Sequence, residues 1–125
     1  MLKVVSKGEL KDLTPLKGMP LTYLYLYALP VSDLSPLQGM PLETLGVYRN
    51  KFTDLSPLKG MPLRELGLSA MDITDLSPLR GLRLNRFYIS GASITDLKPI
   101  EGMPLIELTI TDCRKITDLT PELLT

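Results

Sequence analysis

A period of 21 residues runs through the chain and constrains its fold more than any other feature. Six prolines mark the period, in steps of 21, 21, 21, 21 and 22 residues: Pro15, Pro36, Pro57, Pro78, Pro99 and Pro121. Glycines keep the same step at Gly18, Gly39, Gly60, Gly81 and Gly102. A repeat of this length forms one small unit that buries its apolar face only by stacking on its neighbours. We therefore expect a solenoid.

Each repeat contains a short segment in which apolar side chains alternate with polar or small ones, the pattern of a half-buried strand. The apolar positions are Leu21, Leu24, Leu26; Leu42, Leu45, Val47; Leu63, Leu66, Leu68; Leu84, Phe87, Ile89; and Leu105, Leu108, Ile110. Strands are predicted near residues 23–26, 44–47, 65–68, 86–89 and 107–110. Residues 1–5 are expected to add an irregular sixth strand.

The remainder of each repeat predicts a return segment with one 3₁₀-like turn, because 21 residues leave no room for a long helix. Ser35, Ser56 and Ser77 are predicted N-caps, with the following proline at the first helical position. The repeat glycine suits a left-handed residue that ends the turn. An aspartate precedes each turn, at Asp12, Asp33, Asp54, Asp75 and Asp96. We interpret this column as acceptors for backbone N–H groups rather than as cation ligands.

The phrases L-x-x-L-x-L at Leu63 to Leu68 and I-T-D-L-S-P-L at Ile73 to Leu79 resemble the leucine-rich-repeat family. The resemblance covers roughly Leu10 to Pro121 and is most like the short bacterial repeats of internalins and of planctomycete proteins. It implies an α/β fold, a right-handed solenoid with a parallel sheet on the concave face and short 3₁₀ turns on the convex face. It also implies a single domain over residues 1–125, with five clear repeats and partial repeats at both ends, and recognition of a protein or peptide on the concave face.

The sequence departs from that family at one position. The family usually has an asparagine three residues after the last apolar residue of the strand, where its amide pairs with buried backbone. Here the position holds Leu29, Asn50, Met71, Ala92 and Cys113. Only Asn50 provides an amide, so the backbone of the other repeats needs different partners. The additional residue of the last repeat, near Arg114 and Lys115, predicts a bulge or a widened loop.

Composition narrows the functional classes. Fourteen basic and fourteen acidic residues give a formal net charge of zero, which argues against a nucleic-acid partner. Histidine is absent and Cys113 is the one cysteine, so the usual catalytic base, the usual zinc ligands and a disulfide framework are missing. The glycines are spread along the chain rather than clustered in a phosphate-binding loop. We expect no enzymatic activity, no cofactor and no metal, and an inward, inert Cys113 thiol.

No apolar run is long enough for a membrane span, and the first ten residues lack a signal-peptide core. If the chain is complete, it is expected in the cytoplasm. Both ends carry apolar residues without an obvious cover: Leu2, Val4, Val5, Leu123 and Leu124. We expect them to cause self-association or to be covered by neighbouring repeats of a longer protein.

All five tyrosines fall at outward strand positions of the concave face. Three outward rows are predicted: Tyr23, Thr44, Glu65, Arg86, Glu107; then Tyr25, Gly46, Gly67, Tyr88, Thr109; then Tyr27, Tyr48, Ser69, Ser90, Thr111. Tyrosine with serine and glycine is typical of binding surfaces. The predicted partner-binding residues are Tyr23, Tyr25, Tyr27, Tyr48, Glu65, Arg86, Tyr88, Gly46 and Gly67. In the middle row, two tyrosines flank two glycines, which predicts a shallow notch with an exposed backbone floor.

Two alternatives stand beside this binding hypothesis. Tyrosine is favoured in strands regardless of function, and near-uniform repeats also suit a structural spacer or an engineered scaffold without an evolved partner. A second surface, the return-side positions Lys17, Lys59 and Arg80, could bind phosphate groups. Gln38 and Glu101 interrupt this basic column, which favours an ordinary solvated convex face.

Overall fold

The computed structural model describes residues 3–7, 11–69 and 72–116, the first five as backbone only. Strands and 3₁₀ turns alternate along these residues. The strands are β1 Lys3–Lys7, β2 Tyr23–Tyr27, β3 Thr44–Tyr48, β4 Glu65–Ser69, β5 Arg86–Ser90 and β6 Glu107–Thr111. The 3₁₀ turns are Thr14–Leu16, Ser35–Leu37, Ser56–Leu58, Ser77–Leu79 and Lys98–Ile100.

The strands form one parallel sheet in chain order, β1 to β6. Residues 21 positions apart are paired from β2 onward, so Leu24 lies opposite Leu45 and Leu45 opposite Leu66. Each return segment carries the chain back over one 3₁₀ turn to begin the next parallel strand. The architecture is therefore the predicted α/β leucine-rich-repeat solenoid, with the sheet on the concave face and the turns on the convex face.

The predicted sixth strand exists, but its position and character differ from the expectation. It runs over Lys3–Lys7 rather than residues 1–5, and it is as long and regular as the others. Its register explains the shift: Lys3 pairs with Tyr23, at the start of β2, and Lys7 pairs with Tyr27, at its end. The step between β1 and β2 is therefore one residue shorter than between later strands.

One apolar core fills the space between the sheet and the turns. The inward residues of β2 to β5 are fully buried, as are the turn leucines such as Leu37 and Leu58. The apolar residue that precedes each turn segment is also buried at Val31, Phe52, Ile73 and Ile94, and the corresponding Ile116 is half-buried. Burial of this many aliphatic side chains is the main favourable term for folding, and it fixes the direction of every outward residue of the sheet.

The turns begin one residue earlier than predicted, so serine is not the N-cap. In Ser56–Leu58 the cap position is Leu55, and Pro57 is the second residue of the turn. The capping acceptor is Asp54, whose Oδ1 accepts the Ser56 N–H at 2.9 Å, while the Ser56 hydroxyl donates to the same carboxylate. These two hydrogen bonds lower the pKa of the Asp54 carboxyl below its ordinary 3.8, and the bond from the Ser56 hydroxyl contributes most.

The predicted role of the aspartate column is thereby confirmed. The same backbone bond recurs at Asp12, Asp33, Asp75 and Asp96, at 2.8 to 2.9 Å. Within the described residues, no group of three acidic, cysteine or histidine side chains is placed to hold a metal ion. The repeat glycine ends each turn as expected: Gly60, for example, has a φ of 76°, in the left-handed region that favours glycine.

A second left-handed position follows the strands and was not predicted. Ala28, Arg49 and Asp112 occupy it with φ of 54° to 56°, and Gly91 occupies it with a φ of 72°. The backbone N–H groups of Ala28, Arg49 and Gly91 extend the sheet ladder: Ala28 N donates to Tyr48 O at 2.9 Å, Arg49 N to Ser69 O at 3.1 Å, and Gly91 N to Thr111 O at 3.0 Å. The left-handed residue thus turns the chain out of the strand without losing a hydrogen bond.

Asn50 forms the single asparagine rung that the sequence predicted. It is buried, its Oδ1 accepts the Leu29 N–H at 2.9 Å, and its Nδ2 donates to Tyr48 O at 2.8 Å. The amide therefore supplies a backbone partner to the preceding repeat as well as to its own.

Burial decreases in the last described repeat. Leu108 and Ile110 of β6 are half-buried, and Ile106 is 71% exposed. Cys113 is half-buried rather than fully buried; its thiol packs against the core and donates to Thr111 O at 3.4 Å. The predicted loop at Arg114 and Lys115 is a turn, closed by Ile116 N and Cys113 O at 3.3 Å.

The expectation of self-association concerns residues outside what is described. The apolar end residues Leu2, Leu123 and Leu124, with the side chains of Val4 and Val5, lie outside the described residues, so self-association through them stays a prediction. Among the described residues, no helix has the length and apolar character needed to cross a bilayer.

Candidate functional site

The parallel register places the outward residues of successive strands side by side, in the three rows that the sequence predicted. In the first row Glu65 lies opposite Arg86, and Arg86 opposite Glu107. In the middle row Tyr25 is followed by Gly46, Gly67 and Tyr88. In the third row Tyr27 lies opposite Tyr48. These rows form the concave face of the solenoid.

Three tyrosines from three different strands contact one another on this face. The ring centroids of Tyr25 and Tyr48 are 5.0 Å apart, with a 39° angle between the planes. Those of Tyr48 and Tyr88 are 6.0 Å apart, with a 56° angle. Tilted pairs at these distances are favourable for the quadrupoles of the rings. We call Tyr25, Tyr48 and Tyr88 the tyrosine cluster.

The predicted open notch over Gly46 and Gly67 is wrong, because the Tyr48 ring lies in it. Although Tyr48 belongs to the third row, its side chain leans across the sheet. A Cβ on Gly46 would lie 2.8 Å from Cε2 of Tyr48, and a Cβ on Gly67 would overlap the Tyr48 hydroxyl. Both glycines are accordingly buried. They leave room for a side chain of the same sheet, so their backbone is not an exposed floor.

A cavity of about 260 Å³ lies beside the cluster, toward the first row. Its lining includes the tyrosine cluster and the first-row residues Tyr23, Glu65, Arg86 and Glu107. A shallower, open depression of about 500 Å³ lies on the opposite side of the cluster, lined by Tyr27, Arg49 and Ser69. All nine predicted site residues therefore lie in or around one continuous surface.

The charged residues of the first row alternate in sign and form an ion-pair chain. Arg86 lies between two carboxylates: its Nη1 is 3.1 Å from Oε1 of Glu65, and its Nε is 3.2 Å from Oε2 of Glu107. All three side chains are about half exposed, so each pair contributes at most about 1 kcal/mol to folding. The arrangement fixes the orientation of Arg86 more than it stabilises the fold.

The environment of the cluster changes the acidity of its central phenol. Partial burial, followed by the proximity of Tyr25, Tyr88 and Tyr23, raises the pKa of Tyr48 above its ordinary 10.0. Tyr48 therefore stays protonated and neutral over the whole physiological range. It presents a ring face and a hydroxyl group to the surface, without a charge.

Sequence reasoning missed two features. Arg49 lies with its Cζ 5.5 Å from the centroid of the Tyr27 ring, a cation–π distance. Its position directly after Tyr48 and opposite the end of β2 could have indicated this contact. The second is a groove of about 560 Å³ at the edge where the strands begin, with Arg64 and Arg83 in its lining. Arg83 stands at a position that the other repeats fill with proline, at Pro20, Pro41, Pro62 and Pro104.

The convex basic residues do not form a comparable surface. Lys17, Lys59 and Arg80 are exposed at the ends of the first, third and fourth turns, with Gln38 and Glu101 exposed at the same position of the other repeats. Neither the two concave cavities nor the groove at the strand edge is lined by any of these basic side chains. The concave face is therefore the better candidate site.

Two solved structures of Listeria monocytogenes proteins share this architecture. Internalin C2 has a TM-score of 0.73 and 28% sequence identity over 89% of the present chain. A second internalin, inlF, has a TM-score of 0.74 and 30% identity over 90% of the chain. The chain spans 61% of the first structure and 38% of the second.

No protein-family model matches the sequence, and no curated protein does. The classification rests instead on the structure: a 21-residue register, one parallel sheet, one 3₁₀ turn per return segment, and the likeness to two internalins. On these grounds the chain is a leucine-rich-repeat protein with an internalin-like solenoid.

Proposed function

We propose that this chain is a non-enzymatic module that binds a protein or peptide on its tyrosine-rich concave face. The observation that supports the proposal best is the tyrosine cluster. Three large rings from β2, β3 and β5 are packed together on the outer side of a sheet whose inward residues on β2 to β5 are fully buried. A rigid scaffold that presents aromatic side chains toward solvent is well suited to recognition.

The cluster is organised before any partner arrives. Contacts between the rings and the two glycines under Tyr48 restrict the side chains in the free protein. Binding then costs less side-chain entropy than it would for separate, freely rotating tyrosines. Tyr88 keeps 37% of its surface exposed, so it retains area to bury against a partner.

Each predicted site residue has a part in this proposal. The cluster supplies the central anchors, and Tyr23 and Tyr27 flank it on β2. Glu65 and Arg86 supply polar contacts at the rim. Gly46 and Gly67 lie beneath the Tyr48 ring, and because they have no side chain they leave room for it over the sheet.

Affinity selection from a library of random displayed peptides tests the proposal. We expect peptides that bind the wild-type protein to lose at least about fivefold in affinity for Tyr25→Ala and for Tyr88→Ala, as interface aromatic anchors do. Lys59→Ala, an exposed substitution on the convex face, serves as the matched control and should leave the affinity unchanged. Circular dichroism would verify that each variant keeps its fold.

The proposal fails if the selected peptides bind both tyrosine variants as tightly as the wild type. It also fails if selection enriches no peptide that binds the folded protein, which is the result expected of a spacer without a partner.

A further inference from the structure

We infer that the concave face takes a cationic side chain, a lysine or an arginine of an extended partner segment, in the cavity between the tyrosine cluster and the first-row carboxylates. The inference rests on the proposed function and specifies the chemistry of the partner. Its occupant is a basic peptide segment.

The first argument is the charge of the cavity. Among its lining residues, Glu65 and Glu107 carry negative charge and Arg86 carries positive charge. The cavity therefore has an excess of one negative charge, although the chain as a whole is neutral. Surfaces of complementary charge favour association and exclude partners of like charge.

The second argument is that Arg86 is already engaged on both sides. Its Nη1 donates to Oε1 of Glu65, and its Nε donates to Oε2 of Glu107. An anionic partner would meet two carboxylates of its own sign, which together outweigh the single positive charge of Arg86. A cationic partner meets no such obstacle, because a carboxylate has two oxygens and several acceptor sites, and each ion pair uses one oxygen.

The third argument comes from the rings. A cation over the face of a tyrosine is attracted by the ring quadrupole, and the rings of the cluster line the same cavity as the two carboxylates. The raised pKa of Tyr48 keeps its ring neutral. The chain already contains one contact of this kind on the same face, where Arg49 lies over the ring of Tyr27.

Three displayed peptide libraries with identical random flanks test the inference, with arginine, glutamine or glutamate fixed at the centre. We expect the arginine library to give the strongest recovery on the wild-type protein and the glutamate library the weakest. For the best arginine peptide, replacement of the central arginine by glutamine should weaken binding by roughly fivefold or more. Titration calorimetry at low and high salt would show that added salt weakens the arginine peptide selectively.

Charge variants of the protein complete the test. Glu65→Gln and Glu107→Gln should each weaken the arginine peptide, whereas Arg86→Gln should tighten it because the cavity then holds two uncompensated carboxylates. Glu101→Gln makes the same charge change on the convex side and should have no effect.

The outcomes separate this inference from the function on which it rests. If glutamine and arginine peptides bind equally and both depend on Tyr25 and Tyr88, the cationic preference is wrong while the binding face stands. Preference for the glutamate peptide, or an arginine peptide insensitive to both carboxylate variants, likewise overturns the preference. If no library yields a peptide that depends on these tyrosines, both proposals fail.

Discussion

At the scale of single residues, the two middle-row glycines show how a sheet makes room for its own side chain. Glycine inside a strand usually weakens it and often marks a close approach by another group. Here that group is the ring of Tyr48, which lies over Gly46 and Gly67 and contacts Tyr25 and Tyr88. The two glycines therefore determine the shape of the candidate site although neither provides a side chain.

Substituting Gly67 should displace the Tyr48 ring. The Cβ of Gly67→Ala would overlap the Tyr48 hydroxyl, which sits at the end of a rotatable side chain, so we expect the ring to swing toward solvent while the fold is kept. Loss of burial should then bring the raised pKa of Tyr48 back toward 10.0. Ultraviolet titration of the tyrosines measures this: the latest-titrating phenol should disappear in Gly67→Ala and in Tyr48→Phe.

The raised pKa of Tyr48 also makes the stability of the fold depend on pH in the alkaline range. Because folding raises the pKa of Tyr48, its contribution to stability is present below the unfolded value and is lost as pH rises through the folded value. For the ultraviolet titration, Ser69→Ala on the neighbouring strand is the control. An unchanged late titration in Gly67→Ala would show that Tyr48 does not lie over the glycines.

The aspartate column gives a second prediction at this scale. Asp33 Oδ1 accepts the Ser35 N–H at 2.8 Å, so Asp33→Ala should reduce the free energy of unfolding by about 1 kcal/mol, as loss of a capping acceptor does. Asp33→Asn keeps an acceptor oxygen and should lose clearly less. Urea unfolding of the two variants measures the difference. Equal losses would assign the effect to charge rather than to the hydrogen bond.

At the scale of elements, each repeat joins a strand to its return segment through a few backbone hydrogen bonds. Asn50 is the side chain most directly involved, because it bonds the backbone of two adjacent repeats while buried. We expect Asn50→Ala to cost about 1–3 kcal/mol of unfolding free energy, since the buried Leu29 N–H loses its acceptor.

The neighbouring substitution Lys51→Ala controls for position in the loop. Lys51 is exposed, and its backbone N–H, which the substitution keeps, donates to Val31 O at 3.2 Å. It should therefore unfold like the wild type in urea. If Asn50→Ala lowers the unfolding free energy no more than Lys51→Ala does, the hydrogen bonds of Asn50 do not stabilise the fold.

The elements themselves were predictable because their signals repeat. Alternation at Leu24 and Leu26, copied every 21 residues, placed β2 to β6 to within a residue. The cap was misplaced because serine and aspartate both suit the position, and only the backbone geometry decides which oxygen reaches the N–H. The open notch was wrongly predicted for a related reason. The period gives the row of Tyr48 but not the rotamer that carries its ring over Gly67.

At the scale of the whole molecule, stability is distributed over contacts between neighbouring repeats. Phe52 is completely buried within the central repeats, whereas Ile110 on β6 is half-buried. Phe52→Ala should therefore cost about 3–5 kcal/mol, as a large cavity in a core does. Ile110→Ala should cost clearly less, because its site is already partly hydrated. If urea unfolding shows a larger loss of stability for Ile110→Ala than for Phe52→Ala, this distribution is contradicted.

The central claim is that partners bind the concave face through the tyrosine cluster, and amide chemical-shift mapping with a selected peptide tests it most directly. We predict shifts at the outward residues of β2 to β5, centred on Tyr25, Tyr48 and Tyr88, and their loss in Tyr88→Ala. Shifts confined to the convex turns, around Lys17 and Lys59, with the tyrosine amides unchanged, would contradict the claim.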